Sequence, residues 1–211
     1  SWFSVETITV TGEVRTPVLD LLAESGIKEG VSIVSVRTGG AEELLRSEPW
    51  VAEAQVRAVW PRTVEVVIVE HVPIARITAG SRWVVSSGQG VVVAGAEPLV
   101  DPLIKLDVGA VRPGSLIEDS EVLGALEFVA ALPVELKAGL IVEAIENDLF
   151  ATVAGHQVEL GLPNDMAQKA VTLAVLMEQG VAKDAVINLI SPLRPAVSDP
   201  QPLVETSQEV T

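Results

Sequence analysis

The stretch Trp50–Ala75, WVAEAQVRAVWPRTVEVVIVEHVPIA, decides the fold of this chain. From Trp50 to Trp60 every even position holds an apolar residue, and charged or amide side chains occupy the odd positions in the middle. A period of two is typical of a strand with one buried face. After Pro61 the alternation resumes over Thr63–Val69, so the stretch predicts an antiparallel hairpin. The parity also predicts that Trp50 and Trp60 are core residues on the helix-facing side, rather than an exposed platform for carbohydrate.

The sequence before this hairpin predicts one further strand and two helices. The elements are a strand at Val5–Val10 that ends at Gly12, a helix with Thr16 as N-cap and Gly26 at its end, a short extended segment at Val31–Val36, and a helix from Thr38 or Gly39 to Pro49. The order strand, helix, helix, strand, strand predicts two amphipathic helices on one face of a three-stranded sheet. We assign residues 1–73 to this first module.

The pattern of residue types changes after Arg76, where turns rich in Gly and Ser separate runs rich in Val. The predicted elements are a hairpin over 82–93 with its turn at Ser86–Gly90, a strand at Ile104–Leu106, a helix at Asp119–Leu132, a three-stranded meander over 141–160, a helix from Asn164 or Asp165 to Gly180, and a closing strand at Ala185–Ile190. In the second helix, Ala167, Ala170, Val171, Ala174, Val175 and Met177 form the predicted apolar face. The fold class is therefore α+β.

Residues 74–198 form a mixed α/β domain with a largely antiparallel sheet and two helices, following the first module. Pro73 ends a strand and the composition shifts directly afterwards, which predicts a hinge near Ile74–Thr78. Residues 199–211 are rich in Pro, Gln, Ser and acidic residues, which predicts a disordered C-terminal tail.

Charge and cysteine content exclude several functions. The chain carries 29 acidic and 14 basic residues and a formal net charge of −15, which opposes binding to nucleic acid and to anionic lipid. It contains no cysteine, so disulfides, thiolate nucleophiles and Cys-ligated metals are excluded. No apolar run reaches the roughly 18 residues of a membrane-spanning helix.

The residues that carry catalysis in other proteins do not form a recognisable set. His71 and His156 are the only histidines and neither lies in an HExxH pattern, so we assign them structural or exposed roles and predict no metal site. The acidic pairs Glu42–Glu43 and Glu118–Asp119 fall in first turns of predicted helices, where they complement the helix dipole. We therefore predict no enzyme activity, no catalytic residue and no cofactor.

Three segments together resemble the FtsQ/DivIB family of bacterial cell-division proteins. The hairpin matches the run that ends the POTRA module of that family, through Pro49, Trp50, Val51, Val56, Trp60, Pro61, Thr63, Glu70, Pro73 and Ala75. The opening residues Phe3, Val5, Ile8, Val10 and Gly12 and the closing segment Ala185–Val197, AVINLISPLRPAV, also match. His71 departs from the pattern, because the family commonly has Arg there.

The resemblance implies a non-enzymatic scaffold of the division septum. It implies binding to FtsB (DivIC)-like and FtsL-like membrane proteins and to other divisome proteins, coupling divisome assembly to septal peptidoglycan synthesis. It also implies an extracytoplasmic location in a single-pass protein of the cell membrane, with a cytoplasmic tail and one transmembrane helix before Ser1. The alternative with a similar fold is a POTRA-containing component of outer-membrane protein assembly or secretion. An alternative of another class is a peptidoglycan-active hydrolase.

We predict that partners bind at the last strands of the chain. Pro192 and Pro195 lack N–H donors, which is tolerated at a sheet edge and disruptive inside a sheet. An unpaired edge invites a partner strand, and the resemblance implies that this region recruits FtsB, with Arg194 pairing with an acidic residue of that partner. The alternative is an edge that only meets solvent. The candidate partner-binding residues are Val186, Asn188, Ile190, Leu193, Arg194, Ala196 and Val197.

Overall fold

A computed structural model describes residues 2–12, 15–95 and 102–198, apart from the side chain of Arg82. The predicted disordered tail at 199–211 lies outside the described residues. The chain divides into two compact units, one within 1–100 and 107–118 and the other within 101–106 and 119–211. Each unit is built from both helices and strands, so the fold is α+β.

The first unit begins with a three-stranded sheet covered by two helices. Strands β1 (Thr7–Thr11), β2 (Val51–Val59) and β3 (Thr63–Glu70) lie in the order β1-β3-β2, with β1 parallel and β2 antiparallel to β3. Helices α1 (Val18–Glu24) and α2 (Thr38–Arg46) pack on each other, and α2 packs on β2. This confirms the predicted hairpin and the predicted order of elements.

The core of this sheet and its helices is aliphatic. Alternate residues of the hairpin, among them Ala54, Val56, Val64, Val66 and Ile68, are buried as their parity predicts. Burial of such side chains contributes about 25 cal/mol per Å² of apolar surface, so this layer stabilises the module. The buried cluster consists of Val5, Val18, Leu22, Ile27, Ile33, Ala41, Leu45, Val51, Ala54, Val56, Val64, Val66 and Ile68.

The prediction that Trp50 and Trp60 are core residues is wrong. Strand β2 ends at Val59, so Trp60 falls in the turn, where its side chain is 58% exposed. Trp50 precedes the strand and is half-buried, with the Arg15 guanidinium 4.7 Å from the centre of its ring. A register shift between Val51 and Glu53 breaks the alternation, which is why parity does not extend to this residue.

Local predictions before the hairpin need three corrections. The segment predicted as extended contains a 3₁₀-helix at Ile33–Ser35. Thr16 does not cap α1 with its side chain; instead its hydroxyl donates to a carboxylate oxygen of Glu70, 3.3 Å away. Glu42 lies one turn inside α2, and its carboxylate accepts the backbone N–H of Val56 rather than complementing the helix dipole.

A second set of strands completes the first unit. Strands β4 (Pro73–Ala79), β5 (Arg82–Ser87) and β6 (Val92–Ala94) form an antiparallel array in that order. The Ser86–Gly90 segment is the predicted hairpin turn, because the N–H of Ser87 donates to Val91 O and that of Gly90 to Ser87 O. Strands β3 and β4 belong to different sheets. The change of sheet therefore lies at 71–72, whereas the predicted hinge segment Ile74–Thr78 forms the middle of β4.

The second unit is a mixed sheet with two helices. Its elements are β7 (Leu103–Asp107), α3 (Ser120–Ala131), a 3₁₀-helix at Val134–Leu136, β8 (Ile141–Ile145), β9 (Asp148–Val153), β10 (His156–Gly161), α4 (Met166–Gln179), β11 (Val186–Asn188) and β12 (Ala196–Ser198). Their strand order is β12-β11-β10-β9-β8-β7. The meander β8-β9-β10 is antiparallel as predicted, whereas β7–β8 and β10–β11 are parallel.

Helices α3 and α4 pack against each other in this unit. The pair Glu118–Asp119, predicted in the first turn, lies before α3 instead. Asp119 caps this helix, because its carboxylate accepts the N–H groups of Glu121 and Val122 at 2.9 and 3.0 Å. The predicted apolar face of α4 is partly wrong: Val171 and Val175 are exposed. The buried residues of α4 are Met166, Lys169, Ala170 and Leu173. No helix within 2–12, 15–95 and 102–198 combines the length and apolarity that crossing a bilayer requires.

Candidate partner-binding edge

Strand β12 is the last strand of the second unit's sheet. It pairs antiparallel with β11, with Val186 opposite Ser198, Ile187 opposite Val197 and Asn188 opposite Ala196. Within the part of the chain that the structure describes, β12 has a strand neighbour on one side only. All of its residues are exposed. Among the described residues, no strand lies on the other side of β12.

Strand β11, which lies beside β12 in the sheet, is fixed by burial and by hydrogen bonds. Its flanking and central side chains, Ala185, Ile187 and Leu189, are fully buried, and β10 pairs with it on the side away from β12. The Asn188 amide donates to a carboxylate oxygen of Glu159, and its carbonyl oxygen accepts the N–H of Ile190 at 3.1 Å. These bonds fix the strand and the first residue of the following turn.

The turn between β11 and β12 is tied down at two points. The N–H of Arg194 donates to Ser191 O at 3.0 Å, which closes the turn on itself. The Thr172 hydroxyl on α4 donates to Pro192 O at 3.3 Å. A turn held in this way presents its outer side chains in a defined geometry, which lowers the ordering cost of binding.

The structure brings five of the seven predicted binding residues to the exterior. Leu193 is 79% exposed, Ile190 and Val197 are exposed apolar side chains, and Ala196 and Arg194 are exposed as well. The Arg194 guanidinium makes no hydrogen bond or ion pair with any other residue among those described. An exposed cation beside exposed apolar side chains is a combination that an amphipathic acidic segment complements.

Val186 and Asn188 have a different place. Both are half-buried in β11, and their strand has neighbours on two sides, β10 and β12. Their backbone groups are therefore engaged within the sheet, and these two residues support the edge instead of forming it.

One supporting residue, Lys169, was not predicted from the sequence. Its side chain is fully buried, and its ammonium donates to Leu160 O at 2.7 Å, Leu162 O at 2.9 Å and Asn164 Oδ1 at 3.1 Å. Burial lowers the pKa of Lys169, and the carboxylates of Asp165 and Asp148 oppose that shift. The bonds secure the end of β10, the strand that carries β11. The sequence signal that could have identified Lys169 is its position within an apolar helical stripe, three residues after Met166 and four before Leu173.

The described residues offer no metal centre. No group of three or more His, Asp or Glu side chains that could hold a metal ion occurs in the described ranges. His156 is buried, with its Nδ1 3.4 Å from Ala185 O, next to the start of β11. A buried imidazole held by a backbone carbonyl fits the structural role predicted for it.

Comparison with known proteins gives consistent matches. Residues 3–71 match the family described as POTRA domain, FtsQ-type. A cell division protein FtsQ of Rhizobium meliloti is 35% identical over 69 residues, which are 33% of this chain and 22% of that protein. FtsQ of Mycobacteroides abscessus is 28% identical over 179 residues, 83% of this chain and 56% of that protein. FtsQ of Bartonella bacilliformis is 27% identical over 199 residues, 94% and 62% respectively. This chain thus spans less than two thirds of each of these relatives.

Proposed function

The chain belongs to the FtsQ/DivIB family, and on this premise we propose that it is a non-enzymatic scaffold of bacterial cell division that binds FtsB (DivIC)-like and FtsL-like partners. By binding them it couples assembly of the division complex to septal peptidoglycan synthesis. The name of the relatives, cell division protein FtsQ, supports the process. The open edge of β12 is the observation that supports the binding role.

Binding at this edge follows from the hydrogen-bonding capacity of an edge strand. A partner strand that aligns with β12 gains backbone hydrogen bonds for affinity, and its alternate side chains meet the exposed groups beside the edge. Leu193 and Ile190 supply apolar contacts, and Arg194 pairs with a partner carboxylate. Because β12 has only three residues, the edge alone gives few backbone bonds, so the turn must contribute contacts as well.

The proposal also covers organisation and location. Residues 1–73 form the POTRA module, residues 74–198 form the β domain, and residues 199–211 form a tail outside the described residues. The protein is a single-pass protein of the cell membrane, with this region on the extracytoplasmic side at the septum and a transmembrane helix before Ser1. Partner-binding residues are those at the β11–β12 edge, with Val186 and Asn188 in the supporting strand.

A binding experiment tests the β12 edge. A soluble segment of FtsB is titrated against the chain and against the variants Arg194→Glu, Leu193→Ser and Ala196→Pro. Reversing one charge and removing one exposed apolar side chain are each expected to weaken binding by about tenfold, which corresponds to about 1.4 kcal/mol. Ala196 lies opposite Asn188 in the β11–β12 pair, so the proline weakens the attachment of β12 itself and is expected to have an effect of the same order.

The matched control is Ile145→Ser, which also removes an exposed apolar side chain of the second unit but lies at the β8–β9 turn. Circular dichroism establishes that each variant keeps its fold. Unchanged affinity in all three edge variants would remove the edge from the interface. A loss of similar size in Ile145→Ser would show that the effect is not specific to β12.

A further inference from the structure

Exposed aromatic and aliphatic side chains collect at one end of the first unit's three-stranded sheet. Trp2 is 83% exposed, Phe3 49%, Val34 70% and Trp60 58%, and Val59 is exposed beside Trp60. We call these five residues the aromatic end patch. Large apolar side chains gathered in this way on a protein surface mark a binding site more often than isolated ones do.

Several contacts hold the patch together. The rings of Phe3 and Trp60 meet edge to face, with centroids 5.5 Å apart and an interplanar angle of 70°. Arg62 Nε donates to Trp2 O at 3.3 Å, and the N–H of Ile33, the residue before Val34, donates to Phe3 O at 2.7 Å. The patch is therefore an ordered surface and not a loose end of the chain.

The topology explains why these residues meet. Strand β1 runs parallel to β3, so the residues before β1 lie beside the turn before β3. The N–H of Glu6 donates to Arg62 O at 2.8 Å, which fixes this arrangement. The first described residues and the β2–β3 turn thus share one end of the sheet.

The charge at this end is balanced. The Arg62 guanidinium pairs with the Glu6 carboxylate, and the pKa of Glu6 is lowered by that partner. The patch therefore presents aromatic rings beside a neutralised ion pair, in a chain whose formal net charge is −15. A basic patch would favour anionic lipid or nucleic acid. A patch without net charge instead suits zwitterionic lipid headgroups, whose charges sum to zero.

We propose that the aromatic end patch inserts into the headgroup region of the membrane and sets the orientation of the first module on it. The inference rests on the proposed function, which places a transmembrane helix before Ser1. The headgroup region is about 5 to 8 Å thick on each side of the bilayer. Trp2 and Phe3 are the described residues nearest to that helix along the chain. Trp is the residue most typical of this interface.

Tryptophan fluorescence tests the proposal with the chain of residues 1–211. The chain is mixed with millimolar phosphatidylcholine vesicles, with or without bromine atoms near the top of the acyl chains, which quench nearby indoles. We expect a blue shift of the emission and quenching by the brominated lipid. Trp2→Phe and Trp60→Phe should each remove part of the quenching, whereas Trp83→Phe should leave it unchanged. Absence of quenching in the unmodified chain would overturn the proposal, and this measurement needs no variant.

Vesicle flotation supplies a second readout. The double variant Trp2→Ser/Trp60→Ser should lower the bound fraction at least about fivefold, because two large apolar side chains leave the interface. The control Val72→Ser removes another highly exposed apolar residue of the same unit, outside the patch, and should bind as before. Added anionic lipid should weaken binding, since the chain is acidic. Stronger binding to anionic vesicles would overturn insertion of a neutral patch.

Two further outcomes separate this proposal from its competitors. Sedimentation velocity in the absence of lipid shows whether the chain self-associates; a dimer that Trp2→Ser/Trp60→Ser abolishes would assign the patch to a second copy and overturn the proposal. FtsB-segment binding to the same double variant should be unchanged. A failed lipid experiment with intact FtsB binding therefore counts against the patch alone, and not against the proposed function.

Discussion

The carboxylate of Glu70 holds the segment that leads into α1. It accepts the backbone N–H groups of Arg15 and Thr16 and the Thr16 hydroxyl. Three donors converge on one oxygen at the end of β3, so the acid joins the sheet to the start of a helix 54 residues away in sequence. Glu70, one of the residues of the hairpin motif, therefore has a structural role.

Replacing Glu70 should destabilise the first unit. Glu70→Ala leaves two backbone N–H groups without their acceptor, and we expect a loss of about 1 to 3 kcal/mol in the free energy of unfolding. Urea denaturation measures it. Glu65→Ala, an exposed glutamate of the same strand, is the control and should change stability by less than about 0.5 kcal/mol. Equal losses in the two variants would contradict this role for Glu70.

Two helical glycines should respond in opposite directions to alanine. A Cβ added to Gly124 in α3 would lie 2.6 Å from Pro163 Cβ, so Gly124→Ala should destabilise by about 1 to 3 kcal/mol through overpacking. A Cβ added to Gly40 in α2 meets nothing within 4 Å, so Gly40→Ala should stabilise by about 0.5 to 1 kcal/mol. Thermal denaturation measures the stability of both variants relative to the unmodified chain. Stabilisation by both variants would mean that α3 can move away from Pro163.

At the scale of elements, α2 covers the outer edge of β2. Glu42 Oε1 accepts the N–H of Val56 at 2.9 Å, and Arg46 Nη2 donates to Ala54 O at 2.9 Å, while Glu42 and Arg46 form an ion pair at 3.2 Å. Side chains of the helix thereby occupy backbone groups that a docking strand would use. Among the described hydrogen bonds, no side chain occupies a backbone group of β12 in this way.

Removing the Glu42 and Arg46 side chains should leave the outer edge of β2 free to pair with a strand of another molecule. The double variant Glu42→Ala/Arg46→Ala frees the two backbone groups, and we expect concentration-dependent self-association in sedimentation velocity. Glu43→Ala, an exposed acid on the same helix, is the control for the loss of one charge. A monomeric double variant that still melts cooperatively would show that the two side chains do not guard the edge.

At the scale of the whole molecule, the buried cluster of the first module is self-contained. Its buried members lie between Val5 and Ile68. Glu70 links the end of β3 to the segment before α1, by accepting the N–H of Thr16. A domain of this size buries only about 60% of its unfolded surface, so its stability is small.

A fragment of residues 2–72 should therefore fold alone. We expect a cooperative thermal transition by circular dichroism, at a lower temperature than that of the full chain. Leu22→Ala removes a fully buried side chain and should cost about 2 to 5 kcal/mol, enough to unfold the fragment at room temperature. A fragment without a cooperative transition would show that the first module depends on the rest of the chain.

The sequence by itself determined the elements whose pattern is local. Alternation from Ala54 to Ala58 and over β3, the turn at Ser86–Gly90 and the meander all follow from the preferences of neighbouring residues. The prolines around the last strand predicted an edge, and β12 is one.

Only the tertiary structure decided where those patterns stop and what lies beside them. Trp60 shares the parity of β2 but falls beyond its last residue, and Lys169 lies in an apolar stripe because the carbonyl oxygens of Leu160 and Leu162 accept hydrogen bonds from its ammonium. Val186 and Asn188 lost their predicted place at the edge because β10 and β12 flank their strand. Periodicity reports which side of a strand is buried, whereas strand ends, neighbours and hydrogen-bond partners depend on residues far away in the chain, which no local pattern contains.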